Sequence, residues 1–437
     1  MNDNGHAFVT PDELRLGLYI ELELGWMAHP FPKGSFKITS TRQIETIRGL
    51  GLQRVRYVPA KSDLPQDATP SRYADLDADP GQAPSTPLQE DMPPALSAAQ
   101  QQRRRHAALL DAQRKNLALC DQRFGASIQR YHAVAEQIKT RPLEAARECG
   151  ELVDGLVTDL LGQGESSIRL LSEGVGDRAS MHPVNVTVLC LLLGKALHLP
   201  SEQLHDLGTA AFLHDIGKTQ LPDKVRWIDS NFSPAEYKQY QCHVAHGVLI
   251  AKQMELSLAA LSAIAQHHEM RDGSGFPRQT AGDGISLPGK ILALVNRYEN
   301  MCNPARPSAA VTPHEALSQI FSQMKARFDE TVLGAFIRMM GVYPPGSVVQ
   351  LSDGRFALVV SVNSARPLRP HVIVHDPAIP SSEALIVDLE QADTPGIRRS
   401  LKPAALPREA MDYLSPRSRI CYFFERAVEP GHPEAGG

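Results

Sequence analysis

Five separated stretches of this 437-residue chain carry residue types that hold divalent metal ions. His182 sits in "SMHPVNV", His214 and Asp215 in "AFLHDIGKTQLPDKV", His243 in "YQCHVAHGVL", His267 and His268 in "QHHEMRDGSGFP", and Asn296 in "KILALVNRYENM". Imidazole is a borderline ligand, and joined by a carboxylate able to bridge it suits Mn, Fe or Zn. Any one of these histidines alone is more often an ordinary core or surface residue. Four of the segments place them at or near the ends of candidate helices, where side chains from neighbouring helices of a bundle converge, and this raises the joint reading. A second dipeptide, His205-Asp206, lies in the helix leading to His214-Asp215 and is given no role.

The elements that must position these groups are helices. Apolar spacing marks candidates over 144–161, 183–198, 202–213, 233–254, 257–268, 288–301, 313–328 and 330–340. Thr312-Pro313-His314-Glu315 is a capping box with proline at the first helical position. The expected fold is multidomain and mainly α: a central all-helical bundle over 145–342, a small α+β module over 1–60 and a small β-rich extension over 343–425. Residues 61–96 read as a disordered linker, because the stretch from 59 to 96 has eight prolines and seven acidic residues with few large apolar ones. Over 97–144 an amphipathic connector follows, with Leu110, Leu117, Cys120, Phe124, Ile128, Tyr131, Val134 and Ile138 on one stripe. That stripe suits pairing with a second copy in a homodimer or packing onto the next domain. From 343 the period changes: "GSVVQL", "RFALVVSV", "HVIVHD" and "EALIVDL" are short alternating runs, and 426–437 reads as a disordered tail. His371 and His375 fall in such a run, about 13 Å apart by strand geometry, too far for one ion.

Bulk composition excludes some classes. With 45 basic and 49 acidic residues the net charge is -4, which argues against a nucleic-acid-binding surface. The six cysteines are scattered without a CxxC pair and read as reduced thiols of a cytoplasmic protein. No basic-then-apolar leader opens the sequence, and "VTVLCLLLGKALHL" is too short for a membrane span and fits a buried helix.

In order along the chain, "HPVNV", "LHDIGKTQLPDKV", "HVAHG", "HHEMRDGSGFP" and "KILALVNRYENM" resemble the HD-GYP family. This is a branch of the HD superfamily of metal-dependent phosphohydrolases that contains bacterial cyclic di-GMP phosphodiesterases. The resemblance covers roughly 145–345, and the ordered combination is specific where HD alone is not. The first 60 residues resemble an accessory domain often joined to this one, and "YPPGSVVQLSDGRFALVV" resembles the strand extension that commonly follows it. The resemblance implies two divalent ions, Mn or Fe with Zn as a third candidate. Asp215 would bridge them, His182 and His214 would hold one with Asn296, and His243, His267 and His268 the other. Lys218 would direct a cation at a phosphate oxygen while a hydroxide shared by the ions attacks phosphorus. Cyclic di-GMP would open to the linear dinucleotide pGpG and onward to GMP. Arg271, Lys290 and Arg297 are candidates for contact with its phosphates or guanines, with Gly275, Phe276 and Pro277 at the rim. The alternatives are a receptor or protein-interaction module with a degenerate site, and a phosphohydrolase for another nucleotide. The 271–277 loop could dock a diguanylate cyclase.

Three departures from the family pattern carry consequences. Phe276 replaces the tyrosine that names the family, which keeps the ring and loses a hydroxyl. Asn296 stands where the family commonly has a metal-binding aspartate, and an amide brings no full charge, so the ion of His182 and His214 should be held more weakly. Arg178 stands where some relatives carry a glutamate supporting a third ion, which argues for two at most.

Overall fold

The computed structural model describes residues 7–22, 35–48, 52, 54–62, 98–162, 166–172, 178–229, 231–363, 370–389 and 394–426. The expected linker lies outside the described residues from 63 onward, and so does the tail from 427. Two compact units divide the chain, 1–93 and 94–437. In the first, strands β1 (Ala7–Val9), β2 (Tyr19–Glu21) and β3 (Ser35–Lys37), helix α1 (Thr41–Arg48) and strand β4 (Val55–Tyr57) follow in order. Their antiparallel sheet runs β1-β4-β2-β3. Alternation buries Ile20 on β2, and Ile44 and Ile47, three apart on α1, meet it with Leu18, Ile38 and Val55 in a small core.

The second unit opens with α2 (Ala98–Gln137) and α3 (Pro142–Leu161). On α2 the expected stripe is buried from Cys120 to Val134, whereas Leu109 and Leu119 are exposed, so its C-terminal half joins the core while Gln113 in its N-terminal half exchanges hydrogen bonds with the backbone of Ile386. Strand β5 (Ser166–Leu170) precedes helices α4 (Arg178–Ala196), α5 (Ser201–Leu213), α6 (Pro234–Gln253), α7 (Leu258–Gln266), α8 (Leu287–Cys302), α9 (Pro313–Gln323) and α10 (Glu330–Met340). Ser233, Ser257, Ser286, Thr312 and Asp329 each accept a backbone N–H at a helix start, which explains the sharp beginnings of α6 to α10. The central helix α4 is buried from Ser180 to Gly194 and packs against α2, α3, α5, α8 and α10. By length and composition it could cross a membrane, but 83% of that window is buried inside the protein.

Helix α4 begins at Arg178, earlier than the sequence suggests, so His182 and Pro183 lie inside it and His182 is not ahead of a helix. Proline biases the residue before it away from helical geometry, which is why the sequence places the start too late.

Strands β6 (Val348–Leu351), β7 (Phe356–Asn363), β8 (His371–Val374), β9 (Ile386–Asp388) and β10 (Ile397–Leu401), helix α11 (Arg408–Leu414) and strand β11 (Tyr422–Arg426) complete the chain. They build a seven-stranded sheet with the path β10-β6-β7-β5-β11, from which β8 and β9 branch at β7. The β-rich C-terminal segment thus shares its sheet with β5, a strand from the helical segment that lies between β7 and β11. The sequence "SSIRL" conceals this strand because its serines and arginine look solvent-facing, yet all five residues are buried and Arg169 pairs with Glu425 of β11 at 3.8 Å. Strand β11 also grips the helices. Its Tyr422 N–H donates to Asn185 Oδ1 of α4 at 2.9 Å, and the Tyr422 and Tyr298 hydroxyls, the latter on α8, are 2.9 Å apart. Replacement of the fully buried Ile168 by alanine should cost about 2–5 kcal/mol and lower the melting temperature of sheet and helices together. Coincident transitions by helix-sensitive and aromatic circular dichroism check this; a sheet that melts alone would contradict it.

Candidate metal centre

Helix α5 ends in a run in which everything from Leu207 to Leu213 except the backbone polar groups is apolar or small, so the residues after it are carried into the core. His214 and Asp215 are 0% and 5% exposed there. A tight 3-10 turn, Ile216–Gln220, follows and packs against α6. The approach needs glycine. A Cβ on Gly217 would stand 2.0 Å from the His243 carbonyl oxygen and 2.4 Å from Gly247 N, so no side chain fits there. This contact brings His243, on α6, to Asp215.

The two oxygens of Asp215 face different histidines. Oδ2 lies 3.4 Å from Nε2 of His182 and 3.4 Å from Nε2 of His214, whereas Oδ1 lies 3.6 Å from Nε2 of His243 and 3.8 Å from Nε2 of His267. His268 completes the second group. The ligand atoms within each group, His182-His214-Asp215 and Asp215-His243-His267-His268, lie within 4.8 Å of one another.

The imidazoles are oriented from behind. Nδ1 of His214, His243 and His267 donates to the carbonyl oxygens of Ala211, Tyr240 and Ile264 at 2.7, 2.6 and 2.6 Å. A carbonyl only accepts, so each of these rings in its neutral form turns a bare lone pair at Nε2 toward Asp215. Burial pushes the His243 pKa down to about 4, and burial pushes His267 and His268 well below the usual imidazole value. His243 and His267 are thus neutral near pH 7, with Nε2 atoms 3.2 Å apart and no proton between them. Asp215 Oδ1 and His268 Nε2 are buried without a hydrogen-bond partner. Facing lone pairs and orphaned acceptors around one carboxylate fit a divalent cation.

The first group is poised differently. His182 Nδ1 is hydrogen-bonded to the carboxylate of Glu299, which is 2% exposed on α8 and also accepts from Asn303 Nδ2 at 2.8 Å. Burial opposes charge on His182, but Glu299 and Asp215 outweigh it and raise its pKa to about 9. Without a metal its Nε2 carries a proton toward His214 Nε2, 3.1 Å away. Burial works against charge on Asp215, but the Lys218 ammonium, aided by His214 and His182, outweighs it and holds the carboxyl well below the usual range. Lys218 Nζ lies 2.5 Å from Asp215 Oδ2 and over the rings of Trp227 and Tyr240, at 5.1 and 5.5 Å.

The other expected residues divide. Asn296 is buried on α8, and its Oδ1 accepts from Asn300 Nδ2 at 2.6 Å. Phe276 stacks on His268 with centroids 4.4 Å apart, so the retained ring packs against the site. Gly275 is buried, with room for no Cβ beside the His268–Met270 backbone, whereas Pro277 is exposed. Lys290 spends its charge on Asp329 at 3.1 Å and Asp283 at 3.6 Å. Arg271 and Arg297 stay at the surface. His205 pairs with Asp154 at 3.4 Å, in keeping with its lack of a role. Sequence reasoning missed Glu299, whose signal is an acid one turn after Asn296 within an apolar helix. It also missed Glu269, buried beside His268, whose two oxygens accept from Arg278 N at 2.7 Å and Thr280 N at 2.9 Å and so organise the following loop.

A family described as HD domain matches residues 165–332, and one described as a domain of unknown function matches 8–149. A cyclic di-GMP phosphodiesterase of Pseudomonas aeruginosa is 28% identical over 370 residues, which cover 83% of this chain and 83% of that protein. Every candidate metal ligand, from His182 to Asn296, falls inside the stretch that matches the HD domain. The chain is also 29% identical over 149 residues to a 3'3'-cGAMP-specific phosphodiesterase of Vibrio cholerae, 33% of this chain and 28% of that protein. An HD-GYP-type protein of Bdellovibrio bacteriovorus, among solved structures, aligns over 76% of this chain and 98% of its own at 11% identity, with a TM-score of 0.41.

Substitutions and pH test how the site is built. Gly217→Ala should push α6 away from the turn and lower metal content in the group containing His243, which elemental analysis of the folded variant measures. Glu299→Gln should weaken the ion at His182 and His214 about 10- to 100-fold, read by competition with a chelator. In the parent protein a metal must displace the His182 proton, so affinity there should climb about tenfold per pH unit until its pKa of about 9. Glu299→Gln should flatten that rise; an unchanged profile would remove Glu299 from this role.

Proposed function

We propose that this chain is a metal-dependent phosphodiesterase that hydrolyses cyclic di-GMP to linear pGpG, with GMP as the further product. The observation that carries the reading is the division of five histidines about the two oxygens of Asp215. The substrate follows from the named activity of the Pseudomonas relative, similar along most of both chains. The donor set, rich in imidazole with one carboxylate, favours Mn or Fe and admits Zn.

His182, His214 and Asp215 with Asn296 would hold one ion, and Asp215, His243, His267 and His268 the other. When bound, the pair supplies Lewis acidity and a water acidic enough to attack phosphorus near neutral pH. Lys218 brings a desolvated ammonium to the edge of Asp215, where positive charge favours the charge that develops on phosphate oxygens. Phe276 covers His268 and keeps bulk water from that ring. Arg271 and Arg297 supply exposed cations for the substrate's second phosphate or its guanines.

A receptor without turnover is the second reading, and Asn296 favours it: the amide is uncharged and its oxygen is already engaged by Asn300. Leu109 and Leu119, exposed on α2, support a homodimer, and the exposed Arg271, Ser274 and Pro277 of the 271–277 loop support docking of a diguanylate cyclase.

Incubation of metal-loaded protein with cyclic di-GMP and, separately, 3'3'-cGAMP should give linear product faster from cyclic di-GMP, read by chromatography. Asp215→Ala should remove both ions and all turnover. Lys218→Ala should keep metal while kcat falls about 100-fold or more. Saturable binding without product at full metal content would establish the receptor instead.

A further inference from the structure

Edge strand β10 carries Arg398 and Arg399 in succession. Neighbours on a regular strand point to opposite faces. Here the register against β6 shifts, with Ile397 opposite Leu351 and Arg399 opposite Gln350, so Arg398 is the extra residue of a bulge. Bulges re-aim side chains, and both arginines are exposed and line one cavity of about 580 Å³. Lys402, His314, Tyr343 and Glu315 also line it.

Charge in this cavity is unbalanced. Its one acid, Glu315, caps α9 through Thr312 and faces Lys402 at 3.4 Å. Arg399 Nε donates to Gln350 Oε1 at 3.0 Å, which uses one of its five donors. No ion pair of Arg398 occurs among the described residues. The lining also holds an aromatic pair: the His314 and Tyr343 rings stack with centroids 5.2 Å apart and planes 21° apart. Charges and a bulge on an edge strand commonly serve to prevent strand pairing, but that purpose does not require a stacked aromatic pair lining the same cavity.

We propose that this cavity binds a phosphorylated nucleotide, with phosphate on Arg398 and Arg399 and the base against the His314–Tyr343 pair. Its volume suits such a ligand. None of the candidate metal ligands lines it, so the ligand is an effector rather than the substrate, and α9 packs against α8, the helix of Asn296 and Glu299.

Calorimetric titration of the full-length, metal-free chain with GDP and with inorganic pyrophosphate tests this. GDP should bind saturably and about tenfold tighter than pyrophosphate. The Arg398→Ala/Arg399→Ala double variant changes only exposed side chains and should weaken both ligands about tenfold or more, with an unchanged melting temperature and metal content. His314→Ala should narrow the gap between the two ligands. Absence of saturable binding, GDP affinity unchanged by the double variant, or pyrophosphate as tight as GDP would each overturn the proposal.

Discussion

The structure is organised around one buried carboxylate that must stay ionised. Asp215 has almost no access to solvent, and a charge so placed persists only when cations or donors surround it. Lys218 supplies the permanent counter-charge, and His182, made basic by Glu299, supplies a second that a metal can replace. The five histidines come from four helices, so α4, α5, α6 and the end of α7 must be fixed relative to one another before the site exists. The Gly217 contact with the His243–Gly247 backbone does this for α6. Strand β11 does it for α4 and α8 through Asn185 and Tyr298.

The two halves of the site are electrostatically unlike. On the Oδ1 side, burial keeps three imidazoles neutral, and nothing but a cation relieves their facing lone pairs. On the Oδ2 side a proton already occupies the gap, and the helix that would supply a ligand offers the amide of Asn296, with the full negative charge displaced one turn to Glu299. That charge acts on the ion through His182. An asparagine beside such a strongly supported histidine leaves a weaker site than an aspartate would, without abolishing it.

Much of this was legible from residue types. The histidines, Asp215 and Lys218 stood out as an ordered set of motifs and not singly, since any one histidine is more often an ordinary core or surface residue. The helices from α5 to α10 were legible because their caps and apolar spacing agree. Strand β5 was not, because burial of Ser166, Ser167 and Arg169 depends on neighbours distant in sequence. Glu299 was hidden for a similar reason: an acid in a helix reads as solvent-facing until the histidine on another helix is seen beside it. The start of α4 was obscured by Pro183, whose local preference the packed core overrides.

The sheet also sets a timetable for synthesis. Strand β5, at 166–170, emerges from the ribosome early, yet its partners β7 and β11 lie at 356–363 and 422–426. Ribosomes add roughly 5–20 residues per second, so both edges of β5 wait unpaired for many seconds while every helix of the bundle is made. Pairing across such separations is intrinsically slow. The serines and arginine of β5, costly to bury at the end, keep that waiting edge from being a hydrophobic template for aggregation. Since β11 brings the contacts that pin α4 and α8, the His182 side of the metal site takes its final shape only when the last strand of the chain has arrived.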